Sequence, residues 1–211
     1  MTRTVHTPVG DARITWHAAA GARAVLALGH GAGGGVETDD LQALAAALPA
    51  RGITVALVEQ PWRVAGKRVA PAPRTLDTAW RALWPALAKP GLPVLAGGRS
   101  AGARVACRTA SELGARAVLA LSFPLHPPPA NAGRCPHGRP EKSRAGELTG
   151  AGVPVLVVQG GSDPFGRPEE FRELPADAEL IEVPGVGHGL SAPEPPVIRR
   201  IGDWLTARLA R

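Results

Sequence analysis

Leu92-Pro93-Val94-Leu95-Ala96-Gly97-Gly98-Arg99-Ser100-Ala101-Gly102-Ala103-Arg104 runs from a short apolar segment, through a glycine-flanked serine, into a helix-like stretch that reaches Leu113. Its centre, Gly98 to Gly102, is a G-x-S-x-G pentapeptide. Between a strand and a helix, such a pentapeptide forms a sharp, strained turn that lifts the serine hydroxyl above the sheet. The flanking glycines remove Cβ atoms that would clash at the turn. The helix start aims backbone N–H groups at any negative charge forming beside the hydroxyl. Ser100 is therefore the first candidate for a nucleophile, against the plainer reading of a Gly/Ser helix cap in a chain rich in Gly and Ala.

Outward from this turn, β-like runs alternate with helix-like stretches. Ala12–His17, Ala24–Gly29, Ile53–Glu59, Val94–Gly97, Ala117–Ser122, Val153–Gln159 and Glu179–Val183 read as strands. Asp39–Arg51, Leu76–Ala88, Ala101–Leu113 and Pro196–Arg211 read as helices, and Glu169–Arg172 as part of a short helix. Pro85 is expected to kink or shorten the second of these. Strands such as Val155 to Val158 are continuously apolar, which suits a sheet buried on both faces. The alternation predicts an α/β fold, with a mostly parallel sheet and right-handed crossovers. Residues 1–211 read as a single domain without internal repeats, and 123–152, dense in Pro, Gly, Arg and His, as an irregular, partly helical flap over one edge of a site.

Composition narrows the function classes. Hydrophobic residues make up 45% of the 211 and charged residues 20%, which is ordinary for a globular protein. No apolar run approaches the roughly 20 residues that span a bilayer, and the N-terminus has no signal-peptide core, so no membrane association and a cytoplasmic location are expected. Cys107 reads as a small buried hydrophobe, and Cys135 near His137 is too sparse a set for a metal. A net charge of +6 is carried almost wholly by scattered arginines, the lysines being Lys67, Lys89 and Lys142. Without a basic stripe or aromatic platforms, no nucleic-acid partner is expected.

A nucleophilic serine needs a base, and the base needs a carboxylate to orient it. In an open α/β sheet these sit just past the carboxyl ends of strands. Asp163 does so in Gly160-Gly161-Ser162-Asp163-Pro164, and His188 in Gly185-Val186-Gly187-His188-Gly189. The chain order Ser100, Asp163, His188 is that of the α/β-hydrolase fold. An oxyanion hole would take the N–H of Ala101, which follows the serine, and a second from His30-Gly31-Ala32-Gly33-Gly34, which follows Ala24–Gly29; Ala32 is the choice there and Gly33 the fallback. The same segment also matches a dinucleotide fingerprint, Gly29-x-Gly31-x-x-Gly34, with Glu59 ending the next strand. Glu37, Asp39 and Asp40 would repel a pyrophosphate at that helix start, and this reading leaves Ser100, Asp163 and His188 unexplained.

The HGAGG loop, Gly97 to Arg104, Ser122-Phe123-Pro124-Leu125-His126-Pro127-Pro128, Gly160 to Gly166 and the GVGHG loop together resemble the small α/β-hydrolases of the dienelactone-hydrolase-like group, which includes a testis-expressed branch and a subunit of a histone-acetyltransferase complex. The resemblance spans 30–189. It implies an α/β-hydrolase fold with a mostly parallel sheet of about seven or eight strands flanked by helices, a minimal lid and a Ser-His-Asp triad. Dienelactone hydrolases themselves use a cysteine nucleophile, where this chain has Ser100.

These residues predict a serine hydrolase that cleaves a small-molecule ester or related acyl compound through an acyl-enzyme, with no metal or organic cofactor. Gly31 and Gly33 would let the backbone approach the substrate. Arg99 is expected to tie loops beneath the turn or to bind substrate, and His126 to border the site or serve as reserve base. Trp62 and Arg63, with Lys67 and Arg68, are expected either to form an apolar wall with an anion-attracting rim or to be a solvated basic loop. Trp80, Trp84 and Trp204 read as core anchors. A catalytically idle scaffold for protein interaction stays open at this point, as do the oligomeric state and the acyl and leaving groups.

Overall fold

The computed structural model describes residues 1–127, 143–172, 174–190 and 193–209. Eight strands form one sheet: β1 (Thr2–Thr7), β2 (Gly10–His17), β3 (Ala24–Gly29), β4 (Ile53–Glu59), β5 (Val94–Arg99), β6 (Val118–Leu121), β7 (Val155–Gly160) and β8 (Glu179–Val183). Their spatial order is β1-β2-β4-β3-β5-β6-β7-β8. The β1–β2 and β2–β4 pairs are antiparallel, and every other pair is parallel. The expected mostly parallel α/β architecture is therefore what the chain adopts.

The helices are α1 (Asp39–Ala47), α2 (Pro61–Val64), α3 (Pro73–Ala88), α4 (Ala101–Thr109), α5 (Ala145–Thr149) and α6 (Pro195–Ala207). One sheet face packs against α3, α4 and α5 through Trp80, Leu83, Leu87, Val105 and Leu148; the other packs against α1 and α6 through Leu41, Leu44, Ile201, Trp204 and Leu205. This two-sided burial explains why β3 and β4 read as unbroken apolar runs. Trp80, Trp84 and Trp204 sit in these two layers as anchors, with Trp204 donating its indole N–H to Glu179 at 2.9 Å. Cys107 is fully buried, and burial pushes its thiol pKa up, so it is chemically quiet.

Several boundaries differ from the sequence-based expectation for identifiable reasons. Strand β1 was not anticipated because it is a mostly exposed edge strand whose Thr-Arg-Thr-Val-His-Thr sequence lacks an apolar face. The single helix expected over Asp39–Arg51 divides at Pro49 into α1 and a 3₁₀ turn, Leu48–Arg51, because proline removes a donor. Conversely, α3 runs through Pro85, which lies on its exposed side in the last turn. The residues expected as a helix at Glu169–Arg172 form a 3₁₀ turn at Pro168–Glu170. Of the expected flap, residues 123–127 and 143–152 are described and include α5. Cys135, His137 and Lys142 lie outside the described residues, as does the end of the expected C-terminal helix at 210–211. Among the described residues no helix is long and apolar enough to cross a membrane.

Strand order places the site. From β3 the chain crosses to β4 on one side, and from β4 it returns past β3 to β5 on the other. The loops leaving β3 and β5 therefore diverge and leave a crevice at their carboxyl ends. Loop 30–38 and the Ser100 turn both open into that crevice.

Candidate active site

Ser100 sits at φ 52°, ψ −109° between β5 and α4. A non-glycine residue there carries roughly 1–3 kcal/mol of backbone strain. The surroundings enforce it: Ser100 N–H donates to Leu121 O on β6 at 2.9 Å, and Arg104 N–H donates to Ser100 O at 3.2 Å. Glycine at position 102 is what allows the turn to close onto β3, since a Cβ there would lie 2.5 Å from Gly29 O.

The loops after β7 and β8 supply Asp163 and His188. They pack so closely that a Cβ on Gly160 would collide with Val186 O, and Ser162 N–H bonds Val186 O at 2.9 Å. His188 Nδ1 lies 2.9 Å from Asp163 Oδ2, and His188 Nε2 lies 2.9 Å from Ser100 Oγ. Asp163 is fully buried, yet its carboxylate is saturated with donors. Phe165 N–H reaches Oδ1 at 2.9 Å, and Gln159 Nε2 reaches Oδ2 at 2.9 Å. With an acceptor at its Nδ1, the imidazole carries its proton there and leaves Nε2 to accept from the serine hydroxyl. The Phe165 ring packs against His188 at a centroid separation of 4.4 Å.

A cleft of about 420 Å³ opens over Ser100, walled by Gly31, Ala32, Gly33, Ala101, Arg99, Arg104, Pro124, Arg144, Phe165 and His188. The expected oxyanion-hole residues Ala32 and Ala101 thus lie in one wall with the serine. The loop carrying Ala32 is set by His30, whose Nδ1–H donates to Gly31 O at 2.8 Å while Nε2 accepts from Gln60 N–H at 3.1 Å. Burial is the largest influence on His30 and lowers its pKa from the ordinary 6.5, so it serves as a neutral strut. Its pKa being lower folded than unfolded, His30 stabilises the protein fully above about pH 6.5, and that contribution is lost as pH falls through the folded value. Urea unfolding at pH 7.5 and 5.5 should therefore show a larger acid loss in the wild type than in His30→Gln; equal losses would remove His30 as the cause.

Arg99 points beneath the turn. Its Nη2 donates to His188 O at 2.9 Å, and its Nε lies 3.3 Å from Oδ2 of the fully buried Asp40 in the first turn of α1. Burial pushes the Asp40 carboxyl upward in pKa, and the Arg99 guanidinium opposes this. Arg99 thus joins three loops, while also forming part of the cleft floor. Asp40 was missed as a site residue because in sequence it is one of several acidic residues at a helix start.

Three candidates are placed elsewhere. Trp62 is in α2, nearly buried and 5.6 Å from the His30 ring; with Lys67 it lines a separate cavity of about 460 Å³ beside the β1–β2 turn. Arg63 pairs with Glu37 at 3.2 Å. His126 points to Glu170, with 2.8 Å between Nε2 and Oε2. None of the three is in the wall of the Ser100 cleft, because α2 turns the chain under the His30 loop and the end of β6 turns His126 toward the 168–170 turn. Arg104, Arg144 and Phe165 also wall the cleft, and local sequence does not mark them, because their meeting depends on how the flap and the β7 loop fold back onto α4.

The family model for an α/β-hydrolase domain matches residues 22–194, and the chain belongs to that family. No curated protein matches it significantly. Among solved structures, ferulic acid-bound Est1E from Butyrivibrio proteoclasticus superposes with a TM-score of 0.80 at 16% identity, covering 99% of this chain and 100% of that one. A dienelactone hydrolase from Anabaena variabilis gives 0.72 at 18% identity, over 100% and 96%. A lidless α/β serine hydrolase from Xanthomonas campestris gives 0.71 at 18% identity, over 100% and 94%. At these identities the likeness is one of fold.

Proposed function

We propose that the protein is a serine hydrolase acting on a small ester or related acyl compound. The observation that carries this reading is the relay from Ser100 Oγ through His188 to the buried Asp163, with both hydrogen bonds at 2.9 Å. Ser100 Oγ attacks the acyl carbonyl while His188 Nε2 takes its proton. Asp163 holds the imidazole and stabilises its charged form. The N–H groups of Ala101 and Ala32 receive the oxyanion, and His188 returns the proton to the leaving group as the acyl-enzyme forms. Water, activated by the same imidazole, then releases the acid. Gly31 and Gly33 keep that wall low, and the 420 Å³ cleft suits compact substrates.

The structural neighbours, a ferulic acid complex and a dienelactone hydrolase among them, are in keeping with acyl chemistry. An idle scaffold is less well supported, since the exposed large hydrophobics among the described residues are Met1, Val9 and Val69, too few for a large apolar patch. The test is labelling of the folded protein with a fluorophosphonate probe, followed by peptide mass mapping. An adduct on the Ser100 peptide is the expected result. No adduct on folded protein would sink the hydrolase reading.

A further inference from the structure

Among the described residues, three guanidinium groups line the Ser100 cleft, and two of them are already committed. Arg99 is held by Asp40 and His188 O. Arg104 is bidentate to Glu147, at 2.8 and 2.6 Å. Arg144 has no carboxylate among the described residues: its Nη1 donates to Pro124 O and His126 O, both at 3.1 Å. Those two carbonyls fix the guanidinium without neutralising it. Glu147, whose charge acts on Arg144, is shared between Arg104 and Arg108, and Arg108 also takes Asp77. Burial is the largest influence on Arg144, and with the positive charges of Arg104 and Arg108 it pulls the Arg144 pKa below the usual arginine value, although the Glu147 charge opposes the shift. A partly desolvated cation with donors left over is a site an anion would relieve.

We propose that Arg144 binds a carboxylate carried by the substrate, which makes anionic esters the preferred substrate class. The inference rests on the hydrolase reading above and adds a specificity residue to it. Arg144 is anchored through its N–H to Leu125 O at 2.8 Å and stands at the start of α5, so the guanidinium is presented from a fixed backbone. A planar fork of this kind matches a carboxylate in a way that a lysine ammonium does not. The anion-attracting rim expected near Arg63 and Lys67 is thereby relocated to the flap.

The experiment compares 4-nitrophenyl hexanoate with 4-nitrophenyl hydrogen adipate, an acyl chain of equal length ending in a carboxylate. At low ionic strength kcat/KM should favour the adipate by about tenfold, as a charge-assisted hydrogen bond allows. That preference should shrink in high salt. Arg144→Gln should bring the ratio of the two esters close to one, Arg144→Lys should retain part of it, and Arg74→Gln, on an exposed helix position, should keep it. A wild-type ratio near one at low salt, or an unchanged ratio in Arg144→Gln, overturns the proposal while leaving the hydrolase reading intact. A second arm needs no turnover: calorimetric binding of monomethyl adipate to Ser100→Ala should weaken in the Ser100→Ala/Arg144→Gln double variant. Equal binding to both overturns the proposal whatever the esterase assays show.

Discussion

Ser100→Ala is expected to lower ester turnover by about 10⁴- to 10⁶-fold, and Asp163→Asn by about 10³- to 10⁴-fold, with unfolding midpoints near that of the wild type in the first case. On the proposed mechanism the serine variant loses the attacking oxygen outright, which leaves only polarisation by the Ala32 and Ala101 N–H groups. The asparagine variant fails for a different reason. Asp163 Oδ1 accepts from Phe165 N–H, and Oδ2 accepts from both His188 and Gln159. If the asparagine oxygen keeps Phe165, its NH₂ faces two donors, and His188 must move its proton to Nε2. The imidazole then donates to Ser100 instead of accepting from it. If the amide turns over, the clash passes to Phe165 N–H. Stopped or steady-state assays with an activated ester read the loss directly. Activity within tenfold of wild type in both variants would show that the relay is not the reaction centre.

The second large effect is on stability. Gly102→Ala places a methyl 2.5 Å from Gly29 O, 2.6 Å from Gly29 C and 2.9 Å from His30 O. All three atoms are backbone, so relief requires β3 and α4 to separate. A cost of about 2–4 kcal/mol is expected, which for a chain of this size lowers Tm by roughly 5–15 °C. Because His30 starts the loop that carries Ala32, the proposed oxyanion donor, ester turnover should fall at least about tenfold as well, on the scale of misplacing one such donor. Gly146→Ala, in α5 with open space at its Cβ position, is the control and should be neutral or slightly stabilising. Equal Tm values for the two variants would contradict the close approach of β3 and α4.

The strand–turn–helix character around Ser100 was legible because it is local: an apolar run, two glycines and a helix-forming stretch record their own backbone conformations in adjacent residues. The alternation of strands and helices was legible for the same reason, and it carried Asp163 and His188 to strand ends in the right chain order. Where local signals were weak the reading failed, as at β1, whose exposed residues alternate without an apolar face, and at α2, a helix of four residues.

Ser100, Asp163 and His188 are separated by tens of residues, and nothing in their spacing says that their side chains meet. That was decided by the sheet order, which brings the β5, β7 and β8 loops to one edge and lets Gly160 pack against the Val186 carbonyl. Tertiary structure also decided which cations face the cleft. In sequence Arg63, Arg99, Arg104 and Arg144 are equivalent loop or helix arginines. In the fold Arg63 pairs with Glu37, Arg99 with Asp40 and Arg104 with Glu147, while Arg144 meets two carbonyls and no carboxylate among the described residues. The sequence by itself determined which residues could do chemistry, since that follows from residue type and local turn. Which of them share a cavity, and which charges are already neutralised there, is set by contacts between distant segments, and only the folded chain contains those.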